Sequence, residues 1–228
     1  MKSIPKKGIQ RQVWNLRTTT TDPVGSKGSG FLVTPGDYSV SVSLVKDGIV
    51  ELLVDKQAFT VKGLNNQTLL AKNPEDLKAF RAEISELNRK VSGTEKVMGE
   101  TKESIELIEK ALLNYPNTDL TFLKSIREMM VSLKDLEVLM WGDKAKSSRE
   151  FETVPSISGR LGMVAYQIYQ NTAGVTKTHR LNKQIAEKQY NALRTELNEI
   201  IGALNEMESK LEGIIPYTGN KGADWKKD

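Results

Sequence analysis

The sequence has no cysteine and one histidine, His179. It therefore has no disulfide, no thiolate ligand and no cysteine nucleophile, and a lone imidazole has no second His or Cys with which to hold a metal. Aromatic residues make up only 6% of the chain, too few and too scattered for the base-stacking platforms of nucleic-acid binders. Charge of one sign is also scarce. Residues 1–72 hold ten Lys/Arg against five Asp/Glu and the remainder 23 against 24, for a net charge of +4. No basic field is dense enough to displace phosphate counterions, so nucleic acid is not an expected partner. No run approaches the ~20 apolar residues of a membrane span, and "MKSIPKKG" is not followed by a signal-peptide core.

Catalytic signatures are missing too. There is no "GxSxG", "HExxH" or "ExxH", so neither a nucleophile elbow nor a helical metal site is indicated. The glycines of "GSKGSG" run into the strand-like "FLV", whereas a phosphate cradle opens a helix. Carboxylate pairs such as Glu83 with Glu86, and Glu206 with Glu208, lie on polar helix faces and read as solvated ion-pair surfaces. His179, at the head of the last periodic segment, reads as a surface or capping residue. No catalytic, cofactor-binding or metal-ligating residue is assigned, and no cofactor is implied.

What is present is a division of periodicity. "DYSVSVSLV" places Tyr38, Val40, Val42 and Leu44 on one face and serines on the other, the period-two pattern of a half-buried strand. "KDG" at 46–48 supplies a tight turn, and "IVELLVD" returns toward "QAFTVK". "IQRQVWNL" at 9–16 alternates less cleanly but is rich enough in β-formers to be a strand. An antiparallel meander of about four strands is expected over residues 1–72, with the Gly/Ser/Thr stretch between its first two strands as an exposed loop.

From Asn73 the period changes. "NPED" reads as an N-cap, a proline at the first helical position and two acids at the positive helix end. Leu77, Phe80, Ile84, Leu87, Val91, Thr94, Met98, Thr101, Ile105, Ile108 and Leu112 then repeat at three and four without a break, predicting one helix to about residue 113 despite Gly93. A second seam runs from Leu120 to Met140, with Asn117 or Thr118 as its cap and Gly142 as its stop. A shorter one joins Ile157, Leu161, Val164 and Ile168. The last, the mate of the first, runs from Ala186 through Leu197 and Leu204 to Ile214. Narrow seams on charged helices must bury against one another. The expected architecture is therefore α+β: a small antiparallel, sandwich-like sheet over 1–72, an antiparallel bundle of three to four long helices over 73–216, and a polar tail over 217–228. Trp14 and Trp141 read as structural anchors, and Trp225, in the tail, as a contact for a partner.

The order "VWNLR", glycine-rich loop, "TPGDYSVSV", "KDG", "AFTVK" and a long helix resembles the C-terminal region of bacterial sortilin-like β-propeller proteins, common in Bacteroidetes and often labelled glycosyl hydrolases with Asp-box repeats. In that family an immunoglobulin-like domain carries a "WDLR" strand and a "PGxYxV" strand, and a helical bundle follows. Trp14, Arg17, Pro35, Gly36, Tyr38 and Val40 match, and Asn15 replaces the usual Asp. These positions are structural, and no "SxDxGxTW" Asp-box occurs in the chain. The resemblance implies a sheet whose leading strands lie upstream of Met1, in a periplasmic or extracellular parent whose β-propeller holds any binding or hydrolytic site. The chain is then expected to be a non-catalytic accessory module whose partner is that upstream propeller or another protein. Two alternatives remain: the tail of a glycoside hydrolase that shapes the propeller's active site, and a self-associating coiled coil with an oligomeric state of its own.

Overall fold

The computed structural model describes residues 3–19, 29–64, 73–116, 118–170 and 173–212. Among them are four strands, β1 (Arg17–Thr19), β2 (Ser29–Leu32), β3 (Gly36–Lys46) and β4 (Ile49–Val61). Five helices follow: α1 (Pro74–Asn114), α2 (Leu120–Trp141), α3 (Lys144–Ser147), α4 (Ile157–Gln170) and α5 (Lys177–Leu211). The fold is α+β, with two antiparallel two-stranded sheets, β1–β2 and β3–β4.

The helical reading holds closely for α1. Asn73 caps it, its side chain accepting from the Asp76 N–H at 3.2 Å, and all eleven seam positions from Leu77 to Leu112 are buried. The two threonines in that seam are accommodated by hydrogen bonds. Thr101 donates to the Val97 carbonyl, and the Thr94 hydroxyl meets both the Lys90 carbonyl and the Tyr190 hydroxyl of α5, the latter at 3.1 Å. A buried hydroxyl left without a partner would cost about 1–3 kcal/mol.

The helices do not form a simple antiparallel set. Along α2, Arg127 pairs with Glu109, Glu137 with Lys102, and Trp141 with Glu95. Rising numbers on α2 thus meet falling numbers on α1. On α4, Ser158 continues the series by bonding Glu95, and the Ile168 carbonyl receives Arg81. Hence α2 and α4 lie end to end along α1 and together make one interrupted rod. By contrast, Arg180 meets Asp76, Lys183 meets Glu83 and Tyr190 meets Thr94, so α5 runs parallel to α1. The bundle is three rods, up, down and up, and the first and last helices are parallel mates. The reason is length. At roughly 1.5 Å per residue α1 is about 60 Å long, and neither α2 nor α4 alone can cover it.

The break between α2 and α4 is a capped stop followed by a restart. Gly142, at φ 90°, ends α2, and the Asp143 carboxylate accepts from the N–H groups of Ala145 and Lys146 at 3.0 Å each to start the short α3. Gly142 is the stop expected from the sequence. The cap of α2 differs from expectation. Asp119, not Thr118, accepts from Thr121 N–H at 2.9 Å, while the Thr118 hydroxyl donates back to Leu112 O at the end of α1; Asn117 lies outside the described residues. Leu120, placed in the α2 seam by its spacing, is 74% exposed, because a residue in the first turn precedes the helix's contact with the core. Ile157, Leu161, Val164 and Ile168 are all fully buried. Ile214 and the tail lie outside the described residues.

The β half departs further. "IQRQVWNL" is not a strand: residues 9–16 have no ladder, Ile9 and Val13 are exposed, and Leu16 takes a φ of 58°, which a strand cannot accommodate. The Asn15 carboxamide accepts from Arg17 N–H at 3.1 Å, a local bond that competes with strand pairing. The four-strand meander is also absent among the described residues. "IVELLVD" and "QAFTVK" are one continuous strand, β4, with irregular register opposite Val40–Ser43 in place of a return. The "KDG" turn is present, with Asp47 and Gly48 at φ 52° and 79°, the double positive-φ turn that suits strand twist.

Leu197 and Leu204 sit in the middle of α5 and are buried in the shared core. Either changed to alanine should lower unfolding stability by about 2–5 kcal/mol, from lost burial and the cavity left behind. Thermal or denaturant melts of the two variants check this, and native-like melts in both would refute the register of α5.

Candidate docking site

Residues 13–17 hold the sheets to each other and to the bundle. The Trp14 indole N–H donates to Arg17 O at 2.9 Å, and its ring packs edge-on against Tyr38 and Phe59 at centroid distances of 5.7 and 6.0 Å. Tyr38 and Phe59 are directly opposite in the β3–β4 ladder and stack on each other. The Tyr38 hydroxyl donates to Thr34 O at 2.6 Å, which fixes the chain as it turns through Pro35, exposed, and Gly36, at φ 156°. Five of the positions named from sequence, Trp14, Pro35, Gly36, Tyr38 and Arg17, thus come together around the entry to β3. Leu197 and Leu204 are elsewhere, in the bundle core, and Trp225 lies outside the described residues.

Arg17 faces the bundle. Its guanidinium donates to Gly30 O at 3.2 Å and lies 4.2 Å from the centroid of the Tyr169 ring on α4. Gly30 is required by contact alone: a Cβ there would collide with Thr18 Oγ1 and the carbonyls of Thr18 and Thr19, so part of the glycine-rich stretch is explained by strand approach. Beside Tyr169 stands Phe31, at 6.2 Å between centroids.

The central residue of this junction, Arg81, was not singled out by sequence. Its Nη1 donates to Leu32 O on β2 at 2.8 Å, and its Nε and Nη2 donate to Ile168 O on α4 at 3.2 and 2.9 Å. It also lies over the Phe31 ring at 5.4 Å. Burial, and secondarily the charge of Arg17, hold its pKa below the usual arginine value. A charged residue beside Phe80 in a helical repeat looks like the polar face; only the tertiary partners, β2 and the end of α4, make it a buried clamp.

Between β2, the start of β3 and α1 lies a cleft of about 610 Å³. Phe31, Pro35 and Tyr38 line one side, and Lys78, Arg81 and Arg89 lie on the α1 side. Its outer charges are already compensated, Lys78 by Glu75 at 3.4 Å and Arg89 by Glu86 at 2.7 Å. Glu83 likewise pairs with Lys183 at 3.0 Å. The lining mixes these apolar residues with hydroxyl and carboxylate side chains, among them Thr18, Thr19, Asp37 and Ser85. Among the described residues no group of three His, Asp or Glu is placed to hold a metal ion.

His179 is a cap and is not on the surface. Its backbone N–H donates to Thr176 Oγ1 at 3.1 Å, and its Nδ1 accepts from Thr176 N–H at 3.2 Å, a reciprocal capping box. With Nδ1 accepting, the proton is on Nε2, which donates to Gln167 Oε1 at 2.8 Å. Trp141 donates its indole N–H to Glu95 Oε1 at 2.9 Å, tying the end of α2 to α1.

Beyond the Trp14 cluster the β3–β4 hairpin has no cover among the described residues. Val40, Val42, Val45, Ile49, Val50, Leu52, Leu53 and Val54 are all exposed. An isolated two-stranded hairpin is marginal in water, and these eight exposed large apolar residues lie on one ribbon.

Two outcomes follow from this junction. Arg81→Met should destabilise the chain by about 1–3 kcal/mol, because the carbonyls of Leu32 and Ile168 lose their donor. Arg81→Lys should recover little, since one ammonium cannot reproduce the guanidinium's fixed fork; denaturant melts with full recovery by lysine would contradict the clamp. Burial depresses the His179 pKa, so the neutral ring is the folded form. Its stabilisation is complete above the unfolded imidazole value of about 6.5 and is lost as pH falls through the lower folded value. The melting temperature should therefore decline below about pH 6.5, and His179→Gln, which keeps a capping-box side chain, should flatten that part of the profile.

The chain was compared with protein-family models, with curated proteins and with solved structures, and nothing matches in any of the three.

Proposed function

We propose that the chain is a non-catalytic docking module of a larger secreted protein, in which the β half completes or covers an immunoglobulin-like sheet beside a β-propeller and the bundle acts as a rigid strut. The observation that carries this reading is the exposed β3–β4 ribbon, apolar on both faces along its outer half. Each large side chain fully covered by a partner would contribute about 1.5–3 kcal/mol before entropy, so the ribbon has more to gain from contact than from solvent. The Tyr38 hydroxyl bound to a carbonyl four residues upstream resembles the tyrosine corner of immunoglobulin-like domains, and the Trp14 cluster gives that sheet an aromatic base. The strut follows from the three parallel and antiparallel rods, whose core continues from Leu77 to Leu112. No helix among the described residues is long and apolar enough to cross a membrane.

The test compares the longer protein with a version lacking residues 1–228. A docking module should leave turnover of a soluble glycan unchanged while altering the propeller's stability or attachment. Loss of turnover by a propeller that remains folded would instead favour a tail that shapes a glycosidase active site.

A further inference from the structure

The two long edges of the projecting hairpin are unlike each other. On β4 the ladder slips twice, from Val40↔Gln57 to Val42↔Val54 and then to Ser43↔Leu52. Each slip places one extra residue on β4, and that strand also carries Glu51, Asp55 and Lys56. Bulges and charges are the two devices that keep an edge from pairing. β3 has neither. From Tyr38 to Val45 it contains no charge and no proline, its own spacing is regular, and no strand among the described residues pairs with its outer side.

The sequence of that edge also fits itself. In an antiparallel pair, directly opposite residues share a face. A two-fold axis at Ser41 sets Tyr38 opposite the second copy's Leu44, Val40 opposite its Val42, and Ser39 opposite its Ser43. From Tyr38 to Leu44 every apolar side chain then meets an apolar one and every serine a serine; beyond that Val45 meets Asp37 and Lys46 meets Gly36, with no like charges opposed. A slip of one residue would set Val40 against Ser43 and mix the two faces, and a slip of two would leave Leu44 against Gly36 or Tyr38 against Lys46, so only the axis at Ser41 pairs all four apolar residues with one another. The interface is isologous and closes at two chains.

We infer that β3 is a homodimerisation edge: two copies of this chain join β3 to β3 antiparallel about Ser41, making one four-stranded sheet. The pairing uses the β3 edge and leaves the sheet faces open, so it stands apart from docking through those faces, and either can fail without the other.

The experiment measures the mass of the full chain in solution by light scattering and sedimentation equilibrium. The expected result is a concentration-dependent dimer, twice the 25.4 kDa chain. Val40→Lys with Val42→Lys sets lysine against lysine across the two-fold axis and should give a monomer. Val54→Lys, on the same face but on β4, should remain dimeric, which separates edge pairing from association through the apolar face. Mixing the double-lysine chain with the Val40→Glu, Val42→Glu chain should restore a dimer containing one of each. Far-ultraviolet circular dichroism verifies that each variant keeps its helices. A native chain that is monomeric throughout, or larger than a dimer, overturns the inference. So does a dimer that survives the double-lysine change or is lost with Val54→Lys, and so does failure of the lysine and glutamate chains to combine.

Discussion

One uninterrupted apolar stripe along α1 determines where the other elements lie. Its eleven positions from Leu77 to Leu112 are buried over about 50 Å, a length that among the described helices only α5 approaches singly. The down-running rod must therefore be assembled from α2 and α4, and the chain needs a stop and a restart between them. Gly142 and the Asp143 cap supply both. Glu95, on α1 at the level of this junction, receives Trp141 from the end of α2 and Ser158 from the start of α4. The seam in this way sets the position of the break as well as the packing.

The helices were legible in the sequence because their signals are local. Asn73, Pro74 and the three-and-four spacing are read without knowing any tertiary partner, and α1 ends within a residue of its expected boundary. What was not legible depends on contacts distant in the chain. The parallel direction of α1 and α5 follows from two helices sharing one rod, which no periodicity announces. Arg81 reads as a polar-face residue until β2 and α4 are placed against it. "IQRQVWNL" has strand composition but no strand to pair with, and the Asn15–Arg17 bond and the positive φ of Leu16 turn the chain instead. β-propensity expresses fit to a neighbouring strand more than an intrinsic backbone preference, so the error falls where the neighbour is missing.

The site divides along the same line. Trp14, Arg17 and Tyr38 were named from the sequence, and they lie together at the entry to β3. Their geometry shows what the pattern does: Trp14 closes the base of the hairpin, while Arg17 reaches across to Tyr169 and ties that base to the bundle. The result is a ribbon firmly rooted at one end and uncovered at the other. In the proposed docking role, a rigid base would limit the conformational entropy that a partner must remove on binding.

The central claim is that stability resides in the three-rod seam and that the ribbon lies outside it. Amide hydrogen exchange, followed residue by residue at a concentration where the chain is monomeric, tests this directly. The seam residues of α1 and α5 should exchange only through global unfolding, whereas residues 9–16 and the outer halves of β3 and β4 should exchange through local opening at far lower cost. Slow exchange of equal protection across residues 9–61 and the helices would show that the β half is already part of one cooperative core, and would contradict the account.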